Sequence, residues 1–341
     1  MRQPSSSSFS PYTSIPPKSV MDTNAGDEIV VEILPTIRTY RSGRVERLQP
    51  TDFVPASLDP PTAVLSKDLN INPFTLLSAR LYLPTLSTAA DNSRKFPVFV
   101  FFHGGGFCIG SAFSSIYHSY LNSLVSRAQV IAVSVDFRLA PENPLPAAYD
   151  DSWEALQWIS GASGNSEPWL TEAADLDKIF LAGDSTGANI AHNMAVRFGQ
   201  NKSPVEGLVL MHPYFWGKER IGSEREEKEG VMLKSKDADA LWPFVCPGTS
   251  GLDDPRVNPT AEGGLSLAAL GCRRVLVSVA GRDLLRERGR LYFEKLKQSG
   301  WEGEAEFWEA EGEDHVFFLL NPGGEKAVEF MDRLVTFLNK K

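Results

Sequence analysis

Five short apolar runs constrain this chain more than any other feature. They are FPVFVFF at 96–102, QVIAVSVDF at 129–137, KIFLAGD at 178–184, GLVLMHP at 207–213 and RRVLVSVAG at 273–281. Runs of strand length that are apolar without alternation belong to strands covered on both faces. Helical patterns lie among them. AAYDDSWEALQWIS brings Trp153, Leu156 and the pair Trp158–Ile159 near one face, and NIAHNMAVRF follows Ser185. Strands alternating with helices predict an α/β fold whose mostly parallel central sheet has helices on both faces.

The flanks read differently. The first twenty residues are rich in Ser and Pro, carry only Arg2 and Lys18 as charges, and meet no acid until Asp22. Residues 1–36 are therefore expected to form a disordered or transit-like extension, with Met21 as a second candidate start. TIRTYRSGRVERLQP reads as two short β segments around a Ser-Gly turn, so ordered structure is expected from about Ile37, as one domain over 37–341. The stretch 217–245 breaks the strand–helix rhythm with a charged loop followed by an amphipathic segment containing Leu241, Trp242 and Phe244. An insertion placed after a sheet strand predicts a lid.

Several classes are excluded. Net charge is -9 and no Lys/Arg block occurs, which argues against a nucleic-acid partner. Cys108, Cys246 and Cys272 are far apart and form no CxxC pair, so they read as thiols of a reducing compartment, with no metal framework. No apolar stretch approaches the roughly 20 residues that cross a bilayer, and no secretory h-region opens the chain. A soluble cytoplasmic protein is expected, or a chloroplast one if residues 1–20 act as a transit peptide.

GDSTGAN at 183–189 places Ser185 between a strand and a helix. GxSxG alone is weak, but in that setting it describes a nucleophile elbow, a turn so tight that only glycine fits at 183 and 187. The competing reading, a helix N-cap serine, is common in any α/β protein, and the motif together with its strand–turn–helix setting outweighs it. A nucleophilic serine needs a base, and in this strand–turn–helix arrangement the order is Ser, acid, His. Of the histidines after Ser185, His192 lies two turns along the helix and His212 ends the next strand before an acid intervenes, so both read as structural. His315 is left as the base. Asp283, just past the end of a strand, is the orienting acid. Asp314 is its rival but adjoins His315, and Asp253 and Asp254 are weaker choices. The oxyanion donors are expected in FVFFHGGGF, where His103 and Gly104 introduce Gly105 and Gly106. Their N–H groups, with that of Thr186, would face the tetrahedral intermediate. Asp184 reads as structural, and Asp136, Arg138 and Glu142 of DFRLAPE as a buried polar brace. Phe107, Cys108, Tyr214 and Trp216 line the pocket or simply pack.

Taken together, HGGGF, DFRLAPENPLPAAYDD, GDSTGAN, GRD at 281–283 and DH at 314–315 resemble the plant carboxylesterases of the hormone-sensitive-lipase group. The likeness runs from about Ile37 to the C-terminus. It implies an α/β-hydrolase with a cap formed by the N-terminal segment and the mid-chain insertion. It also implies a serine carboxylesterase acting on short-chain or small aromatic esters through an acyl-enzyme, with no metal or organic cofactor. The group includes gibberellin receptors, which lack the histidine kept here as His315, and hydroxyisoflavanone dehydratases, which often replace the serine kept here as Ser185. A non-catalytic receptor and a lyase or cyclase on a plant natural product are the alternatives. The sequence carries no sign of oligomeric state.

Overall fold

A computed structural model describes residues 27–85, 95–226, 229–264 and 266–340. Twelve strands follow in chain order: β1 Ile29–Ile33, β2 Ile37–Tyr40, β3 Val45–Arg47, β4 Leu58–Asp59, β5 Val64–Asn72, β6 Leu77–Pro84, β7 Phe96–Phe102, β8 Ile131–Asp136, β9 Ala174–Asp184, β10 Val205–Met211, β11 Cys272–Ala280 and β12 Glu304–Ala310. The helices are α1 Ser115–Ala128, α2 Ala147–Ile159, α3 Pro168–Thr171, α4 Thr186–Gln200, α5 Ser235–Val245, α6 Arg286–Gln298, α7 Phe317–Leu320 and α8 Glu325–Asn339.

Nine strands form one sheet in the order β12-β11-β10-β9-β7-β8-β6-β5-β4. From β8 to β12 every neighbour is parallel, and the β4, β5 and β6 edge is antiparallel. All five apolar runs are strands of the parallel part. Side chains alternate across a strand, and here both faces are covered. Val98, Val100 and Phe102 of β7 share a core with α2, α4 and α6, while Phe99 and Phe101 share another with α1 and α8. The α2 face is shifted from the expected one: Ala148, Ala155, Leu156 and Ile159 are buried, whereas Trp153 and Trp158 are half-buried.

A separate three-stranded sheet, β1-β2-β3, lies N-terminal to this body. The expected boundary at Ile37 is therefore too late, because β1 already pairs with β2, Ile33 opposite Ile37, and both of those side chains are buried. The transit-like reading of residues 1–20 and the second start at Met21 lie outside the described residues. Within 217–245, α5 carries buried Leu241 and Trp242. Asp237 of α5 accepts the Leu34 N–H at 3.1 Å, so the insertion and the N-terminal segment meet. The charged part of the insertion is not merely solvated: Glu224 is fully buried against Arg288 of α6, at 2.7 Å.

Candidate active site

The parallel strands end together at one edge of the sheet, where open α/β sheets bind their ligands. β9 runs straight into α4, and the turn between them is Ser185, with φ 53° and ψ -118°. An L-residue with positive φ is strained, and such residues gather at functional sites. The turn is held by Ser185 N–H donating to Met211 O (2.9 Å) and Tyr214 N–H donating to Ser185 O (2.9 Å). Neither flanking glycine needs a left-handed backbone. What they permit is close approach: a Cβ on Gly187 would stand 1.9 Å from Phe102 O, and one on Gly183 would stand 2.3 Å from the Gly187 carbonyl carbon.

His315 and Asp283 arrive from the loops after β12 and β11. The His315 Nδ1 bonds Asp283 Oδ2 at 2.7 Å, with both side chains buried. Asp283 Oδ1 also accepts the Leu285 N–H at 3.0 Å. Burial alone would lift the Asp283 pKa, but the adjacent imidazole overcomes it and the carboxyl lies below its ordinary value. Burial likewise pulls His315 down, and the Asp283 charge and hydrogen bond overcome it, leaving the ring above its ordinary value. The rival Asp314 is engaged elsewhere, accepting the Met232 N–H of the insertion (2.8 Å) and the His315 N–H (2.7 Å). Asp253 accepts from Lys218 N–H and Asn258, and Asp254 pairs with Arg256, so neither serves this site.

The glycine loop follows β7. Gly105 and Gly106 are left-handed, at φ 102° and 65°. Among the described residues, the N–H groups of Gly105, Gly106 and Thr186 have no acceptor within the protein. Ser185, Thr186, Gly105, Gly106 and His315 all line one cavity of about 220 Å³. Gly104 is not among the residues that line this cavity. Its N–H donates to Asp184 Oδ1 (2.9 Å), and a Cβ there would collide with that carboxylate. Asp184 thus fastens the loop to the elbow, and burial raises its pKa to about 6. His103 braces the loop from below, its ring stacked on Phe137 at 4.4 Å and its Nδ1 on Gly104 O at 2.8 Å.

The roof comes from two places. Ile33, Leu34, Pro35 and Thr36 line the cavity together with Met232, Leu233, Ala238 and Leu241. Of the four pocket candidates only Tyr214 lines it, its hydroxyl donating to Ala238 O of α5 (3.0 Å). Phe107 packs edge-on to Tyr149, Trp216 donates to Asp239, and Cys108 is buried in the core. The DFRLAPE residues do brace loops, but not one another and not all by burial. Asp136 holds Ser111 and Ala112, Arg138 pairs with buried Asp151 (2.7 Å), and half-exposed Glu142 pairs with Arg47 of β3 (2.7 Å).

Of the set-aside histidines, His192 is remote, its Nδ1 against the Tyr292 hydroxyl at 3.1 Å. His212 is not: its Nδ1 lies 3.8 Å from Asp283 Oδ2. In the sequence only its place at a strand end is visible, and its neighbours come from two other strand ends. His212, Asp283 and His315 offer ligand atoms within 4.8 Å of one another. A metal there would have to break the Asp283–His315 bond and displace the Val316 N–H from His212 Nδ1. No helix among the described residues is long and apolar enough to cross a membrane.

A family model described as the alpha/beta hydrolase fold matches residues 99–319. The chain is 44% identical over 315 residues to probable carboxylesterase 2 of Arabidopsis thaliana, covering 92% of this chain and 97% of that protein. It is also 44% identical to a 2-hydroxyisoflavanone dehydratase of Glycine max, covering 91% and 99%. Among solved structures, a thermophilic and thermostable carboxylesterase cloned from a metagenomic library superposes with a TM-score of 0.70 at 25% identity, covering 84% and 90%.

Proposed function

Because the chain belongs to the alpha/beta hydrolase fold family, we propose that it is a serine carboxylesterase acting on short-chain or small aromatic carboxylic esters. One observation carries the reading: His315, bonded to buried Asp283 at 2.7 Å, shares a cavity with Ser185 and three uncommitted N–H groups. In the mechanism, His315 takes the Ser185 hydroxyl proton as the oxygen attacks the ester carbonyl. Asp283 holds the imidazole in the tautomer with hydrogen on Nδ1. The N–H groups of Gly105, Gly106 and Thr186 receive the oxyanion, each donor contributing about 3 kcal/mol by analogy with measured cases. His315 returns the proton to the leaving alcohol, and water then releases the acid from the acyl-enzyme. These steps call for neither metal nor organic cofactor.

Hydrolysis of p-nitrophenyl acetate, butyrate and octanoate by the wild type, Ser185→Ala and His315→Ala tests the reading. Short-chain turnover that collapses in both variants supports it, and turnover no greater than in Ser185→Ala would sink it. A dehydratase reading rests on the soybean relative. It predicts elimination of water from a 2-hydroxyisoflavanone with little ester turnover. We place the protein in the cytoplasm, and mass spectrometry of its native N-terminus checks for organelle processing.

A further inference from the structure

His212 has no part in the mechanism above, yet it touches the groups that do. It follows β10 with a left-handed backbone, φ 49°, and its N–H donates to Ser278 O at 2.8 Å. Its ring lies 5.7 Å from that of His315 and packs against Phe317 and Phe318. Burial drives its pKa down to about 3, so it is neutral at working pH. The Nδ1 accepts the Val316 N–H at 2.9 Å, which assigns the ring proton to Nε2. That Nε2 is buried and has no partner among the described residues.

A buried N–H without an acceptor costs stability. For packing on Phe317 and Phe318 an apolar side chain would serve at lower cost. What the imidazole adds is an acceptor for Val316. That residue directly follows His315, is itself left-handed at φ 50°, and precedes α7. On the other side of His315, Asp314 accepts the His315 N–H. The base is thus held by one backbone hydrogen bond of its own and one of its successor.

We infer that His212 is a positioning residue for the reaction, a neutral acceptor that fixes Val316 and through it the ring of His315. The inference rests on the esterase reading. His212→Asn and His212→Leu test it, because the two side chains are nearly isosteric and only Asn carries an oxygen where Nδ1 stands. With p-nitrophenyl acetate, His212→Leu is expected to lower kcat about 10- to 100-fold with KM within about twofold, and His212→Asn to recover most of it. Equal losses in both variants, or none in His212→Leu, overturn the inference. Should His212→Leu fail to fold, nitrogen NMR of the ¹⁵N-histidine-labelled wild type decides. An unprotonated Nδ1 with hydrogen on Nε2 at neutral pH agrees with the role, and a protonated Nδ1 refutes it. Undiminished turnover in Ser185→Ala is the separate result that would defeat the esterase reading, whatever the state of His212.

Discussion

Phe107, Ser185, His212 and Val316 all hold positive φ without glycine's freedom; Ser185 and Val316 line the cavity, and His212 accepts the Val316 N–H. Each such conformation costs on the order of 1–3 kcal/mol and persists only where the surroundings over-determine it. Here the surroundings are named: Met211 O and Tyr214 N–H for Ser185, and His212 Nδ1 for Val316. The charge balance makes a pH prediction. On the proposed mechanism His315 acts as a base only when neutral, and Asp283 holds its pKa above the ordinary 6.5. So kcat/KM should fall with decreasing pH through a midpoint above that value. In Asp283→Asn the largest opposing charge is gone and burial prevails, so the midpoint should move to lower pH, with kcat reduced by about 10⁴-fold. A pH profile of both enzymes checks the sign, and an unmoved midpoint contradicts it. At this scale the sequence is legible where chemistry is local in the chain. GDSTGAN and HGGG carry their own turn geometry, so Ser185 and the glycines can be read directly. His212 cannot, because Asp283 reaches it through the parallel register of β10 and β11, and Val316 only through that of β11 and β12 as well.

Among the elements, the α6 helix and the insertion are joined by an ion pair with almost no solvent. Arg288 donates to both oxygens of Glu224 and reaches Glu219 O as well. Arg288→Met would strand a buried carboxylate, an expected loss of about 3–5 kcal/mol. Urea unfolding measures it, and a change below about 1 kcal/mol would show that the insertion floats free of the body. The buried strands are legible because two-sided burial writes an unbroken apolar run. β5 does not stand out in the sequence because residues such as Asp68 and Asn70 are exposed in it, and β6 because Ser78 and the buried Arg80 interrupt its apolar run. β1 escapes for a related reason: most of IVVEI is exposed, and its partner strand rather than its own sequence makes it a strand.

For the molecule as a whole, the sheet separates two cores, and the three thiols fall on one side of it. Burial pushes Cys108 up to about 12 and raises Cys246 and Cys272. Thiolate is the reactive form. The native protein should therefore leave a disulfide reagent such as DTNB almost unconsumed for minutes, and guanidinium should release all three thiols. Rapid native labelling would mean that this core opens readily. The fold class is the most legible layer of all, because the alternation of strand and helix survives any uncertainty about boundaries.

The cavity has one more property, which follows from the order in which its walls occur in the chain. Its lining begins at Ile33 and takes in Gly105 and Gly106, then Ser185, and last the stretch from His315 to Leu320. Synthesis from the N-terminus therefore delivers the glycine loop and the Ser185 elbow well before the Asp283–His315 pair. On the proposed mechanism such a nascent chain lacks the group that would activate its serine. Under that reading a chain that stops short of His315 carries the serine motif without its reactivity, and truncation before His315 should abolish ester turnover.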